Sequence, residues 1–335
     1  MDSPYSPLEY TLLNDWQRGF PIVAHPFAEI GQRVGAGETA VLDTLARLQR
    51  RGAISRVGAV FAPRRIGAST LAALAAPAQQ IEEIAALVSA RPEINHNYQR
   101  EHRYNLWFVA TAADQAALDA VLAAIELDTG CRVIALPLEN EFHIDLGFDL
   151  ASCHKSVAPV ASVSARQPDN EERRLIAALQ PGLEIMPRPF RQLGETLFME
   201  EGEVLARVSG MIQEGLIKRF GVVVRHHELG YRSNAMVVFD LADDIVDGIG
   251  ARLAAEPGVT LCYRRRRSLP DWPYNLYCMV HGRSRAEALP VIDRLAFIAG
   301  APATTLFSTR RFKQCGARYF SDSVADRRLV EPDNA

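Results

Sequence analysis

A shift of 163 positions lays the second half of this 335-residue chain on the first, as in Gln17 on Gln180. Gly19, Ile22, Pro26, Phe27, Gly31, Val41 and Leu42 fall on Gly182, Ile185, Pro189, Phe190, Gly194, Val204 and Leu205. Gly52, Ile54, Arg56, Gly58, Val60 and Gly67 fall on Gly215, Ile217, Arg219, Gly221, Val223 and Gly230, with no gap from Gln17 onward. Further on, Tyr98 and Arg100 match Tyr263 and Arg265 at a shift of 165. Tyr104-Asn105-Leu106 match Tyr274-Asn275-Leu276 at 170, so the second copy carries a longer turn. Any fold for this chain must therefore be one unit built twice.

Each copy opens in the same way. PFAEIGQRVG and then ETAVLDTLARLQRRGAISRVG predict a helix, a glycine turn, a second helix with apolar residues at three- and four-residue spacing, and a strand. PFRQLGETLF and EGEVLARVSGMIQEGLIKRFG repeat the pattern, which is a winged helix-turn-helix outline. In the second copy NAMVVFDL, DIVDGIGARLAAEP, TLCYRRRR, YNLYCMVHG, SRAEALPVIDRLAFIAG and TTLFSTRRF alternate as strand, helix, strand, strand, helix, strand. That βαββαβ order predicts a ferredoxin-like sheet with its helices on one face. The fold class is thus α+β, a tandem duplication of winged helix-turn-helix plus ferredoxin-like domain. The expected boundaries are 1–62 and 63–150, a linker at 151–170, then 171–225 and 226–325, with a tail at 326–335. The linker is assigned on its small residues, two prolines and lack of periodicity.

A net charge of −3 argues against holding nucleic acid by overall basic charge. The first recognition-helix candidate keeps Arg47, Arg50 and Arg51 only toward its end, and the second sets Arg207 and Gln213 against Glu203 and Glu214. Neither presents a strong phosphate-binding face, so DNA is an unlikely partner. Five scattered cysteines without CxxC or Cys/His spacing indicate neither a disulfide framework nor a zinc site. No apolar run approaches a membrane span and MDSPYSPLEYTLL is no signal peptide, which predicts a cytoplasmic protein with no membrane association.

Polar chemistry concentrates in HNYQREHRYNLWF, His96 to Phe108, and in its echo CYRRRRSLPDWPYNLYCMVHG, Cys262 to Gly282. Strand alternation places His96, Tyr98, Arg100 and His102 on one face, with Gln99, Glu101 and Arg103 elsewhere. Tyr263, Arg265 and Arg267 share a face in the second copy. The copies also differ: His226-His227 correspond to Pro63-Arg64, His96 and His102 have no histidine counterparts, and His143 aligns with Lys313.

These two signatures, HNYxRxHxYNLWF and CYxRxxxLPDWPYNLY, resemble the paired signatures of the siroheme decarboxylase family. FHIDLGF at 142–148, RFG with RHHELG at 219–230 and FSTRRFKQCGARY at 307–319 are further matching elements. That family is built on the Lrp/AsnC regulator architecture, as two homologous subunits or one fused chain. The resemblance implies an intrachain pseudo-dimer with its two sheets packed face to face. It also implies removal of two acetate carboxyl groups from siroheme, giving 12,18-didecarboxysiroheme, and the fused form points to heme d1 biosynthesis.

Siroheme is a flat anionic ring, so a site for it needs cations, aromatic walls and an axial iron ligand. The expected catalytic set is His96, Tyr98, Arg100 and His102. Substrate binding falls to Tyr263, Arg264, Arg265, Arg267, Trp272, Tyr274, Arg310 and Arg311, and His226 or His227 would ligate the iron. No cofactor is expected beyond the iron of the siroheme substrate, because the ring itself accepts the developing charge. Association with copies of itself or with related decarboxylase subunits is also anticipated. A single-chain Lrp/AsnC-type transcription regulator and a tetrapyrrole-binding sensor are the rival readings. The asymmetric histidines and arginine-rich strands favour the enzyme but separate it from the sensor only with the family resemblance, and His281, which ends a strand beside a glycine, is left open.

Overall fold

The computed structural model describes residues 5–144, 167–225 and 233–320. His226, His227 and most of the linker at 151–170 lie outside the described residues. The first copy runs α1 (Pro7–Asn14), α2 (Pro26–Val34), α3 (Glu38–Arg50), β1 (Ile54–Phe61), a short α4 (Pro63–Ile66), β2 (Ala68–Leu74), α5 (Ile81–Ala90), β3 (Ile94–Arg100), β4 (Leu106–Ala112), α6 (Gln115–Thr129) and β5 (Val133–Ile144). The second runs α7 (Asn170–Leu179), α8 (Pro189–Leu197), α9 (Glu201–Gln213), β6 (Ile217–Val224), β7 (Ser233–Phe239), α10 (Val246–Ala254), β8 (Val259–Arg265), β9 (Leu276–Gly282), α11 (Arg285–Ala299) and β10 (Thr304–Gln314).

Helices α1 and α7 add a first helix to each winged unit, and both begin at a capping box. Ser6 and Glu9 exchange side-chain and backbone bonds at one, Asp169 and Glu172 at the other. These residues stand 163 apart, so the duplication reaches back to Ser6. The two winged units do not fold apart: β1 and β6 pair antiparallel, and one apolar core runs from Leu12 to Val224 through both. At the centre of this ribbon a Cβ on Gly221 would stand 2.4 Å from Trp16 O, so only glycine fits.

The expected face-to-face sheets are in fact one closed barrel, ordered β10-β3-β4-β2-β5-β8-β9-β7. Strand length explains the difference. β5 and β10 span 12 and 11 residues, against 7 for the other barrel strands. The first part of β5 pairs with β2, and its end, from Leu138, pairs with β8 of the other copy. β10 likewise pairs first with β7 and then, from Ser308, with β3. Each crossing strand carries a phenylalanine into the other copy's core. Phe142 packs with the helices over the second sheet and Phe312 with those over the first. Gly250 on α10 makes room, since a Cβ there would meet the Phe142 ring at 2.2 Å. Closure leaves the barrel without an edge strand.

Candidate active site in the barrel interior

Alternation along each barrel strand sends one set of side chains to the helices and the other inward. On β3, Asn97 faces outward, donating to Ala85 O and Ser89 Oγ beneath α5. His96, Tyr98 and Arg100 therefore face inward together, as their spacing predicts. The His96 and Tyr98 rings stack at 6.2 Å, and the Arg100 guanidinium lies 5.8 Å from the Tyr98 ring. An apolar plug around Trp107, Trp272, Tyr277, Tyr263 and Leu136 fills part of the interior. The polar ladder of β3 reaches the second copy through Arg100 and Asn234.

Arg100 decides the character of this space. It is 7% exposed, and its guanidinium donates to Leu306 O at 3.0 Å and to Asn234 Oδ1 at 3.3 Å. Both acceptors are neutral, and Nε has no partner. Burial pulls its pKa down to about 10, against the small opposite pull of Tyr263 and Tyr98. Arg56 reaches the same end from β1: it is largely buried, donates to Ala59 O at 3.1 Å, and is likewise lowered by burial. Two buried cations without a carboxylate partner among the described residues are costly unless an anion joins them. His96 is driven to about 4 by burial and then by Arg56, so it is neutral at physiological pH. Its Nδ1 stands 2.8 Å from Asn95 Oδ1, which places the proton on Nδ1 and leaves Nε2 with a lone pair. Tyr98 is pushed up by burial, against Arg100 and Arg311, and keeps its phenolic proton.

The second copy repeats this arrangement without the histidine. Arg265 donates to Leu136 O at 2.8 Å and lies 4.5 Å from the Tyr263 ring, mirroring Arg100. Leu261 stands where His96 does. The cross-strand pair Asn234–His281 is matched by Ser69–Thr111. One end of the barrel is thus equipped with a histidine beside its tyrosine and the other with a tyrosine alone.

Other expected site residues lie elsewhere. Arg264 points outward and is engaged by Glu139, Asp243 and Asp247. Arg267 is held by Asp240, Asp243 and two backbone carbonyls, Pro273 O and Leu241 O. Arg310 is half-exposed, pairs with Glu82 and covers Phe312. Those three are surface ion pairs formed with carboxylates remote in sequence. Trp272 is wholly buried in the plug and donates to the Tyr277 hydroxyl, while Tyr274 bonds Thr304. His102 leaves the ladder because β3 ends at Arg100; its Nδ1 accepts the Tyr104 N–H and its ring meets Trp272 edge-on. Arg311 reaches Gln314 and faces Tyr98 across the β10–β3 ladder. The repeated Tyr-Asn-Leu is partly structural, since Asn105 and Asn275 pin the backbone of Ala76 and Leu241. Asn234, Thr260 and Arg56 were missed; only the identity of Arg56 with Arg219 in the repeat hinted at any of them. Among the described residues no group of three or more His, Cys, Asp or Glu side chains converges on a metal position. Nor is any described helix long and apolar enough to cross a membrane.

This architecture has close relatives. An AsnC-like ligand binding domain model matches residues 65–143 and 228–313, and a siroheme decarboxylase NirDL-like HTH domain model matches 9–54 and 172–218. The siroheme decarboxylase NirDL subunit of Paracoccus denitrificans is 46% identical, over 92% of this chain and 96% of its own. The chain belongs to the siroheme decarboxylase family. The siroheme decarboxylase NirD subunit of Pseudomonas aeruginosa matches at the length of a single copy, 50% identical over 43% of this chain and 95% of its own. The crystal structure of a siroheme decarboxylase NirDL in complex with an iron-uroporphyrin III analogue superposes with a TM-score of 0.71. It is 26% identical and covers 94% of each chain. The family thus confirms the duplicated AsnC-like plan expected from the repeat.

Proposed function

We propose that this protein is a carboxy-lyase that removes two acetate carboxyl groups of siroheme, giving 12,18-didecarboxysiroheme for heme d1 biosynthesis. The observation that carries this reading is Arg100: a buried cation inside a barrel, held only by neutral oxygens, beside a neutral histidine and a protonated tyrosine. An anionic ring supplies the missing negative charge. Arg100 and Arg56 take its carboxylates at the equipped end and Arg265 takes one at the other, where guanidinium forks suit bidentate contact.

The chemistry follows from that placement. The bond between the acetate methylene and its carboxylate breaks, carbon dioxide leaves, and the electron pair delocalises into the adjoining pyrrole. The methylene carbon must then take a proton. The apolar plug keeps water from the carboxylate, which raises its energy relative to the spread-out transition state. Tyr98 is the ready donor, since burial holds it protonated. His96 becomes a second donor as substrate charge enters and favours its cationic form. The iron arrives with the substrate, and His226 or His227, which follow β6 in sequence, would serve as its axial ligand. Because the chain carries both copies, it supplies in one molecule what half-length relatives divide between subunits, and association with such subunits or with itself remains part of this reading.

Anaerobic incubation with siroheme followed by mass spectrometry of the extracted ring tests this. Loss of two carbon dioxide units is expected. A ring that binds but keeps all its carboxylates would make the protein a tetrapyrrole sensor and overturn the enzyme reading.

A further inference from the structure

The wall of the barrel does not hold Arg100 alone. Both of its terminal nitrogens donate to Asn234 Oδ1, each at 3.3 Å. An arginine can only donate, so this contact fixes which end of the Asn234 amide faces it. The amide nitrogen is thereby turned toward His281, whose Nε2 stands 3.1 Å away. Nε2 must accept, so the imidazole in this arrangement is neutral and carries its proton on Nδ1. That nitrogen lies 2.8 Å from Thr260 Oγ1, which in turn donates to Met279 O at 3.1 Å. Every proton from Arg100 to the β9 backbone points one way, and no member can reverse without placing two donors in contact.

We infer that Asn234 and His281 are positioning residues, which orient the Arg100 guanidinium toward a substrate carboxylate while leaving its charge unneutralised. The inference rests on the siroheme reading above. A carboxylate at position 234 would hold Arg100 more strongly, but it would occupy the electrostatic place of the substrate. A neutral amide gives direction without charge, provided its own orientation is fixed, and His281 fixes it. Asn234 and His281 are direct cross-strand neighbours on β7 and β9, and the first copy has Ser69 and Thr111 there. The relay therefore belongs to one end of the barrel only, the end where β3 of the other copy brings His96 and Tyr98.

Three variants, Asn234→Asp, His281→Gln and His281→Leu, test this with siroheme binding by absorbance titration and turnover by mass spectrometry. Asn234→Asp sets a carboxylate against Arg100 and should weaken siroheme binding by roughly 100-fold without lowering the melting temperature. In His281→Gln the Oε1 accepts the Asn234 amide, so kcat should stay within about threefold of the parent. His281→Leu offers no acceptor; kcat should fall by roughly 10- to 100-fold, with siroheme affinity changed by less than about fivefold. Equal kcat in the Gln and Leu variants, whether high or low, would overturn the inference, because packing or direct proton transfer by His281 would then explain the site. Unweakened binding by Asn234→Asp would overturn it too, and decides the matter if the Leu variant does not fold. A parent protein that leaves siroheme unbound and unchanged would instead sink the decarboxylase reading itself.

Discussion

Arg100→Met should make the substrate-free protein slightly more stable while removing its hold on siroheme. Burial lowers the guanidinium from its ordinary value to about 10, which sets about 3 kcal/mol against folding in the charged form. The sign is fixed by the direction. A base with a depressed folded pKa binds its proton better when unfolded, so the penalty is complete at neutral pH and fades only above about pH 10. Methionine fills much of the same volume beside Tyr98 without charge, but leaves Leu306 O and Asn234 Oδ1 without that donor. Those two losses cost about 1 kcal/mol each. The net gain is about 1 kcal/mol, or a melting temperature higher by about 2–4 °C. Urea unfolding with and without siroheme measures both halves of the claim. Siroheme should stabilise the parent strongly and the variant little, since the ligand no longer relieves a buried cation. A variant less stable than the parent by more than about 1 kcal/mol would refute the reasoning, for Arg100 would then be a structural strut. Equal stabilisation of both proteins by siroheme would refute it as well.

His96 gives a pH signature: with its folded pKa near 4, its neutral form stabilises the protein above about pH 6.5 and that contribution is lost as pH falls toward 4. His96→Gln should remove about 3 kcal/mol of the difference between urea unfolding at pH 7 and at pH 4. In the wing ribbon, Gly221→Ala should destabilise by more than about 3 kcal/mol or yield insoluble protein, because its Cβ would stand 2.4 Å from a carbonyl oxygen. Gly202→Ala, in α9 with nothing within 4 Å, should instead raise the urea midpoint by about 0.5–1 kcal/mol in equivalent stability. Duplex DNA should show no salt-dependent binding at micromolar protein by fluorescence anisotropy. Arg47 and Arg51 are tied to Glu9 of α1, and Arg207 to Glu171 and Glu203, so these helices offer few arginines to phosphates.

How far the sequence could be read depended on the range of each interaction. The duplication, the winged units and the βαββαβ order are written in local periodicity, and local periodicity survives folding. The shared face of His96, Tyr98 and Arg100 follows from the two-residue repeat of a strand, and it failed at His102 only because the strand stops two residues earlier. The arginines divide on the same ground. Arg100 and Arg265 alternate inward, but nothing near Arg264 in sequence announces Glu139, and nothing near Arg310 announces Glu82. A run of four arginines looks like one anionic site when its carboxylates lie on other elements. Asn234 was illegible for a related reason, since its meaning comes from Arg100, 134 positions away.

Barrel closure explains why one chain needs both copies. In an open pair of sheets each copy would own its pocket, and symmetry would equip both alike. Here β10 lies between β3 and β7, so Arg100 of the first copy, on the same strand face as His96 and Tyr98, meets Asn234 of the second, which bonds His281. The opposite end has the reciprocal composition, with Tyr263 and Arg265 against Ser69 and Thr111. Duplication freed these two ends to diverge, because a substitution in one copy changes each end differently. Leucine at 261 keeps apolar lining at one end, while His96 supplies a titratable ring at the other. Both ends keep a tyrosine and an arginine, so the histidine is what sets them apart.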